Sequence, residues 1–243
     1  MAEIARIFRD NKERYGYRRV WAVLRREGWA ANHKKVKRLM SAMGLFSPVR
    51  TKGYHSYKGN VGKTAPNVID RNFGASMPGQ KWTTDVSQFE CVWGKAYLSP
   101  IMDMFNGEIV AYSLSRRPNF AQTMEMLRKA FAACPDVRGL VFHSDQGWQY
   151  QQITYQEILR SKGIIQSMSR KGNCYDNSPM ENFFSLMKKE MFYGHEWEFK
   201  TYQDLRKAVD SYILWYNRDR IKKKLNWMSP VEYREACFQP GVL

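Results

Sequence analysis

Two alternating runs, Lys95–Met104 and Glu108–Leu114, flank Asn106-Gly107, and this arrangement constrains the fold more than any other in the chain. An Asn-Gly pair between strand-like segments is the strongest short-range hairpin signal, because both residues tolerate the positive φ that a tight turn demands. Once that antiparallel pair is set, the surrounding patterns fall into order. Lys81–Val86 reads as a preceding strand. Asn119 caps a helix whose Met124, Leu127, Ala130 and Phe131 face inward. Strand Leu140–His143, helix Thr154–Lys162, strand Ile164–Ser167 and a helix opening near Ser178-Pro179 follow. The order βββαβαβα predicts an α/β fold, a mixed sheet with helices on both faces. Beyond it, Tyr202, Leu205, Val209, Tyr212, Ile213 and Tyr216 mark one long amphipathic helix, and Pro230 suits the first turn of a short final one.

Upstream of the sheet the pattern is helical and basic. Ile4, Ile7 and Phe8 share one helix face, and Val20, Trp21 and Leu24 share a second before Gly28. Asn32 caps a third helix, which runs through Val36, Leu39, Met40 and Met43 to Gly44. Residues 1–64 hold 16 Lys and Arg against 4 Asp and Glu, so +12 of the formal net charge of +16 lies in about a quarter of the chain. Short helices joined by Gly-containing turns, with Lys34, Lys35, Lys37 and Arg38 on the last of them, suit a nucleic-acid-binding module, as do Arg18 and Arg19. A solvated helical bundle is the plainer alternative. The reading divides the chain into a basic helical unit at 1–50, a Gly- and Pro-rich linker at 51–79 carrying Lys52, Tyr54, Tyr57, Lys58 and Lys63, a catalytic core at 80–190 and a helical extension at 191–243.

The charge points to a polyanion partner, because neutralising phosphates releases counterions. No apolar run approaches the roughly 20 residues of a membrane span, and no signal peptide opens the chain. The four cysteines are scattered, which excludes a disulfide framework or zinc knuckle and fits a reducing cytoplasm.

Against this basic background three acids stand out: Asp85 in TTDVSQF, Asp145 in FHSDQGWQY and Glu181 in NSPMENFF. Asp85 ends the first predicted strand and Asp145 follows the fourth, so both emerge at one end of the sheet if those strands are neighbours. Glu181 lies in the first turn of the next helix. Each has an ordinary explanation as a strand end, a turn residue or a capping-box glutamate on Ser178. Together they offer hard carboxylate oxygens, suited to Mg²⁺ or Mn²⁺. Two such ions roughly 3.5–4 Å apart are sufficient for phosphodiester chemistry.

The stretches WTTD, HSDQGWQY, NCYDNSPMENFFSLMKKE and WYNRDRIKKKLNWMSPVEYR, with 35 residues between Asp145 and Glu181, resemble the second-reading-frame transposase of the IS-three family of insertion sequences. The resemblance runs over nearly the whole chain. It implies an RNase H-like core related to retroviral integrases, in which Asp85, Asp145 and Glu181 are the catalytic triad and hold two Mg²⁺ or Mn²⁺ ions. Lys188, seven residues after Glu181, would contact terminal DNA beside Lys189, and His143 and Asn177 would orient the acids or the DNA. Lys222, Lys223 and Lys224 stand where many relatives have histidine and are read as DNA-backbone contacts. The implied reaction is 3′-end cleavage and strand transfer of insertion-sequence DNA. Its partners are double-stranded element ends and target, a second copy of the chain, and a fused first-reading-frame helix-turn-helix product; its setting is the bacterial cytoplasm, on the nucleoid. An RNase H-like nuclease without strand transfer, or a non-catalytic DNA-binding regulator, are the alternatives.

Overall fold

The computed structural model describes residues 1–48 and 64–238. Helices α1 (Ala2–Asp10), α2 (Tyr17–Arg26) and α3 (His33–Ala42) precede strands β1 (Lys81–Thr84), β2 (Ser87–Cys91), β3 (Gly94–Asp103) and β4 (Ile109–Ser115). Helix α4 (Phe120–Ala133), β5 (Val141–Ser144), α5 (Ile153–Ser161), β6 (Ile165–Met168) and α6 (Ser178–Met187) complete the sheet layers. Helices α7 (Tyr202–Arg218) and α8 (Pro230–Phe238) close the described chain. The sheet runs β2-β3-β1-β5-β6 with β4 on β3; β1, β5 and β6 are mutually parallel, and the pairings of β3 are antiparallel.

The sheet holds one strand more than expected. Ser87–Cys91 pairs with β3, so Asp145 follows the fifth strand rather than the fourth. Phe89 and Cys91 point inward between exposed Gln88 and Glu90, an alternation too short and too polar to stand out in sequence. Thr84 pairs with Ile101 and Ser87 with Leu98, the same register on both sides of the gap. β1 and β2 are therefore one strand interrupted at Asp85-Val86. That register sets Asp85 opposite Pro100, whose carbonyl accepts from Thr84 Oγ1 at 2.8 Å. Proline has no N–H to return to the ladder, which accounts for the break.

Each sheet face buries its own apolar cluster. Trp82, Ile101, Phe142 and Met168 pack under α4 and α5. On the other face, Phe89, Leu98 and Met102 meet α6, whose Met180, Phe183, Phe184 and Met187 follow helical spacing. Fully burying one such side chain contributes about 1.5–3 kcal/mol. The N-terminal helices join this second cluster through Ile4, Ile7, Phe8, Val20, Leu24, Val36 and Met40, against Val209, Tyr212, Ile213 and Trp215 of α7. Polar contacts fix the docking: Tyr15 donates to the Asp219 carbonyl (2.7 Å), and Arg19 Nε donates to the Ile221 carbonyl (3.0 Å).

Pro66–Arg71 is also anchored. The Val68 amide donates to Ser167 Oγ, Met168 N donates to the Pro66 carbonyl, and Asn67 and Arg71 reach Asp176. The basic and aromatic residues expected to contact DNA from the linker (Lys52, Tyr54, Tyr57, Lys58, Lys63) lie outside the described residues.

Candidate active site

Parallel pairing sets Thr83 opposite His143, so two residues further on Asp85 stands opposite Asp145. Neighbouring strands run about 4.8 Å apart. Because side chains alternate, Thr83, Asp85, His143, Asp145, Ser167 and Ser169 share the face toward α6, and Trp82, Phe142 and Met168 take the apolar one. The sheet is therefore polar along this stretch of the α6-facing side.

The start of α6 is tied to that polar column. Thr83 Oγ1 donates to Asn177 Oδ1 at 2.5 Å, and Asn177 Nδ2 donates to the Thr84 carbonyl at 3.1 Å. The capping box that would explain Glu181 in ordinary terms is not formed: Ser178 is the first helical residue, and the helix N-cap, Asn177, makes no side-chain capping bond. Glu181 is thus not consumed as a cap. It lines a cavity of about 120 Å³ with Asp85, Val86, Ser87, Phe184, Ser185, Lys188 and Tyr193.

Packing around the carboxyl groups strips away most of their water, although both aspartates keep some surface in the cleft. Burial raises Asp85 well above the ordinary carboxylate range; the charges of Asp145 and Glu181 add to this, and Lys188 opposes it. Burial also raises Asp145 and Glu181. Asp85 accepts from the Val86 amide at 2.7 Å, and Asp145 accepts from the Gly147 amide at 2.9 Å. With both turned onto neighbouring amides, no three His, Cys, Asp or Glu side chains among the described residues converge tightly enough to hold a metal ion. The donor set nonetheless fits a hard divalent cation: two desolvated like charges face each other with a third nearby, and rotating each aspartate off its amide frees its oxygens.

Lys188 stands at this cavity, donating to the Gln88 carbonyl (2.8 Å) with its ammonium 5.2 Å from the Phe89 ring centre. Lys189 is half-exposed one residue on. His143 is fully buried, its Nδ1 against Ser167 Oγ (2.9 Å) and Nε2 against Ser169 Oγ (3.1 Å). Burial pushes it down to about 4, so it is a neutral, hydrogen-bonded core residue.

The other basic positions divide into two groups. Arg18, Lys34, Lys35, Lys37, Arg38, Lys223 and Lys224 are exposed. Arg18 and Lys37 flank the Tyr17 ring at 5.3 and 5.7 Å, giving α2 and α3 a shared basic-aromatic face. Arg19 is drawn into the contact with Ile221. Lys222, read from the sequence as a DNA contact, turns inward: its ammonium donates to Tyr216 Oη (2.8 Å) and the Gly107 carbonyl (3.2 Å), and burial lowers it well below the usual lysine range. The hairpin and α7 supply its partners, more than a hundred residues away and six residues away respectively, so no local signal marks it as internal.

A fourth acid went unnoticed in the sequence. Asp176 is buried and accepts from Arg170 Nε (2.8 Å), Arg71 Nε (3.0 Å) and Asn67 Nδ2 (3.1 Å). Arg170 first, then its own amide and Arg71, hold the carboxyl well below its ordinary 3.8. Asp176→Asn should cost about 1–3 kcal/mol at pH 7, less than for a fully buried pair because both arginines are half in solvent. A depressed carboxylate contributes stability above its unfolded value and loses it as pH falls toward the folded one. The gap between wild type and Asp176→Asn in thermal melts should therefore narrow below about pH 4.

Fold and site together define the class, an integrase-type core. An integrase core domain model matches residues 75–174, a second integrase core domain model matches 181–238, and an HTH-like domain model matches 1–53. The catalytic core domain of HTLV-2 integrase, solved in complex with magnesium, superposes with a TM-score of 0.53 at 16% identity, over 65% of this chain and 98% of that one. A chain of the simian T-cell lymphotropic virus intasome, solved in complex with the PP2A regulatory subunit B56 gamma, gives 0.58 at 12%, over 99% and 76%.

Sequence relatives narrow the class. The chain is 48% identical to the putative transposase InsK of insertion sequence element IS150 from Escherichia coli, over 98% of this chain and 84% of the relative. It is 51% identical to a transposase-like protein of Haemophilus influenzae, over 86% and 95%. Against the transposase InsF of IS3A from E. coli it is 31% identical, over 93% and 78%. The chain belongs to the IS-three family of insertion-sequence transposases, enzymes of DNA strand transfer. Among the described residues no helix is long and apolar enough to cross a membrane.

Proposed function

We propose that Asp85, Asp145 and Glu181 are the catalytic acids and that together they hold Mg²⁺ or Mn²⁺, two ions per site. The observation that carries this is the β1–β5 register, which faces Asp85 with Asp145 while α6 brings Glu181 onto the cavity beside Asp85. Bound there, the cations supply charge neutralisation for nucleophile and leaving oxygen.

In the first step the oxygen of water bonds to phosphorus at the element end and the P–O3′ bond breaks, leaving a 3′-OH. In the second, that 3′ oxygen bonds to a target phosphorus and another P–O3′ bond breaks, so phosphodiesters are exchanged. The chain's own part is positioning: Asn177 fixes Glu181 against β1, and Lys188 faces phosphate at the cavity mouth. The exposed basic face of α2 and α3 grips duplex DNA, with Lys189 and Lys223 as further phosphate contacts. Two element ends must be held at once, which calls for at least two copies of the chain on DNA.

The test is joining of a labelled 3′-OH oligonucleotide to plasmid. Joining should require Mg²⁺ or Mn²⁺ and stop on chelation; full activity in chelator would refute the metal assignment. In DNA-binding titrations against salt, Lys37→Ala should reduce the slope by about one, the share of one phosphate contact. Lys222→Met should leave the slope unchanged, since that ammonium faces Tyr216.

A further inference from the structure

The end of α6 is held by charges that the reaction does not use. After Met187 the helix widens into a single π turn, Lys188–Phe192, in which Tyr193 N donates to the Lys188 carbonyl at 2.7 Å. Inside that turn Glu190 keeps only 7% of its side chain exposed. It receives Arg220 in a forked pair (Nη2 to Oε1 2.7 Å, Nε to Oε2 2.9 Å) and the Tyr212 hydroxyl (2.7 Å). Its backbone carbonyl receives Arg14 Nε at 2.8 Å, and the Arg14 guanidinium lies 4.7 Å from the Trp215 ring centre. One residue thus ties the catalytic helix to α7 and to the connection between α1 and α2.

An ion pair is an unfavourable choice if the only need is to hold the layers together. Removing two charges from water roughly cancels their attraction, and a well-packed apolar pair of similar volume stabilises as well or better. What an apolar pair lacks is direction. A forked guanidinium–carboxylate contact fixes distance and angle, and a π turn, which inserts a residue and rotates everything beyond it, is a conformation that needs such fixing. Relaxation of that turn to regular α-helix would move the Lys188 carbonyl off Tyr193 N and carry Tyr193 out of the cavity wall it shares with Lys188, Asp85 and Glu181.

We propose that Glu190 and Arg220 are positioning residues for strand transfer, locking the π turn so that Lys188 and Tyr193 stand together at the cavity lined by Asp85 and Glu181. The proposal rests on the reading of those acids as catalytic.

The experiment replaces the network with apolar groups in the full chain: Glu190→Leu, Arg220→Met and Tyr212→Phe together. The variant should melt at or above the parent temperature and bind element-end duplex with a Kd within about twofold. Its joining rate at saturating DNA should fall at least about tenfold, the scale seen when groups that orient ligands are lost. Lys188→Ala should slow the parent more than it slows the triple variant, because the arrangement with Tyr193 in which it acts is already lost there. A triple variant joining at the parent rate, or an equal effect of Lys188→Ala in both backgrounds, overturns the proposal. If the triple variant does not fold, Glu190→Asp serves instead, keeping the charge and shortening its arm: a tenfold slower rate with unchanged Kd supports positioning, and the parent rate refutes it. Asp145→Asn run in parallel separates the two ideas. If Asp145→Asn joins normally the catalytic reading itself fails; if it is dead while the triple variant is fully active, only the positioning role fails.

Discussion

On the proposed assignment, Asp145→Asn is expected to reduce joining by at least about a thousandfold, since losing a carboxylate that holds the metal forfeits several kcal/mol of transition-state stabilisation and each 1.36 kcal/mol is a factor of ten. The fold should survive. Asparagine has nearly the volume of aspartate and keeps an oxygen for the Gly147 amide, the bond Asp145 makes now. It also removes one of the facing like charges that push Asp85 up. Thermal melts without added metal should therefore show Asp145→Asn at or slightly above wild type, and DNA binding should be nearly unchanged. A variant that melts early and loses DNA binding would make Asp145 a structural turn residue.

Arg220→Ala is expected to act in the opposite sense, on stability first. It strands the largely enclosed Glu190 carboxylate, with the Tyr212 hydroxyl as its remaining hydrogen-bond partner among the described residues. Breaking a buried pair from one side costs about 3–5 kcal/mol. In a chain of this size that lowers the melting temperature by roughly 6–20 °C. Lysine in the same place should recover part of the loss, because it restores charge but not the fork. A melting temperature within a degree or two of wild type for Arg220→Ala would show that the pair is solvated and that neither stability nor positioning depends on it.

These two residues also mark the limits of reading the sequence. Asp85 and Asp145 were legible because each ends a strand-like run, where a carboxylate is uncommon enough to attract notice. Their adjacency was conditional on strand order, and only the register of β1 and β5 supplies it. Glu181 was legible by position, yet its local motif argued for a cap that the helix does not form, because Asn177 is drawn instead to Thr83 and Thr84. β2 escaped because Gln88 and Glu90 dilute its alternation and Pro100 interrupts its ladder. The N-terminal helices were correctly located by their apolar spacing. That their apolar faces meet α7 is a long-range fact with no local signature. Arg220 and Lys222 share one feature: a basic residue in a basic stretch looks solvent-facing unless its partners, Glu190 for one and Tyr216 for the other, are known.

The central claim is that Asp85 and Asp145, held opposite each other by parallel strands and joined by Glu181, form one divalent-cation site. The most direct measurement is a crystal structure of the protein with an element-end duplex and Mn²⁺, read by the anomalous signal of the manganese. The account predicts manganese bound by carboxylate oxygens of both Asp85 and Asp145, each rotated off its backbone amide, and no such peak in Asp145→Asn. Manganese bound only elsewhere, with Asp85 still on Val86 and Asp145 still on Gly147, would contradict it.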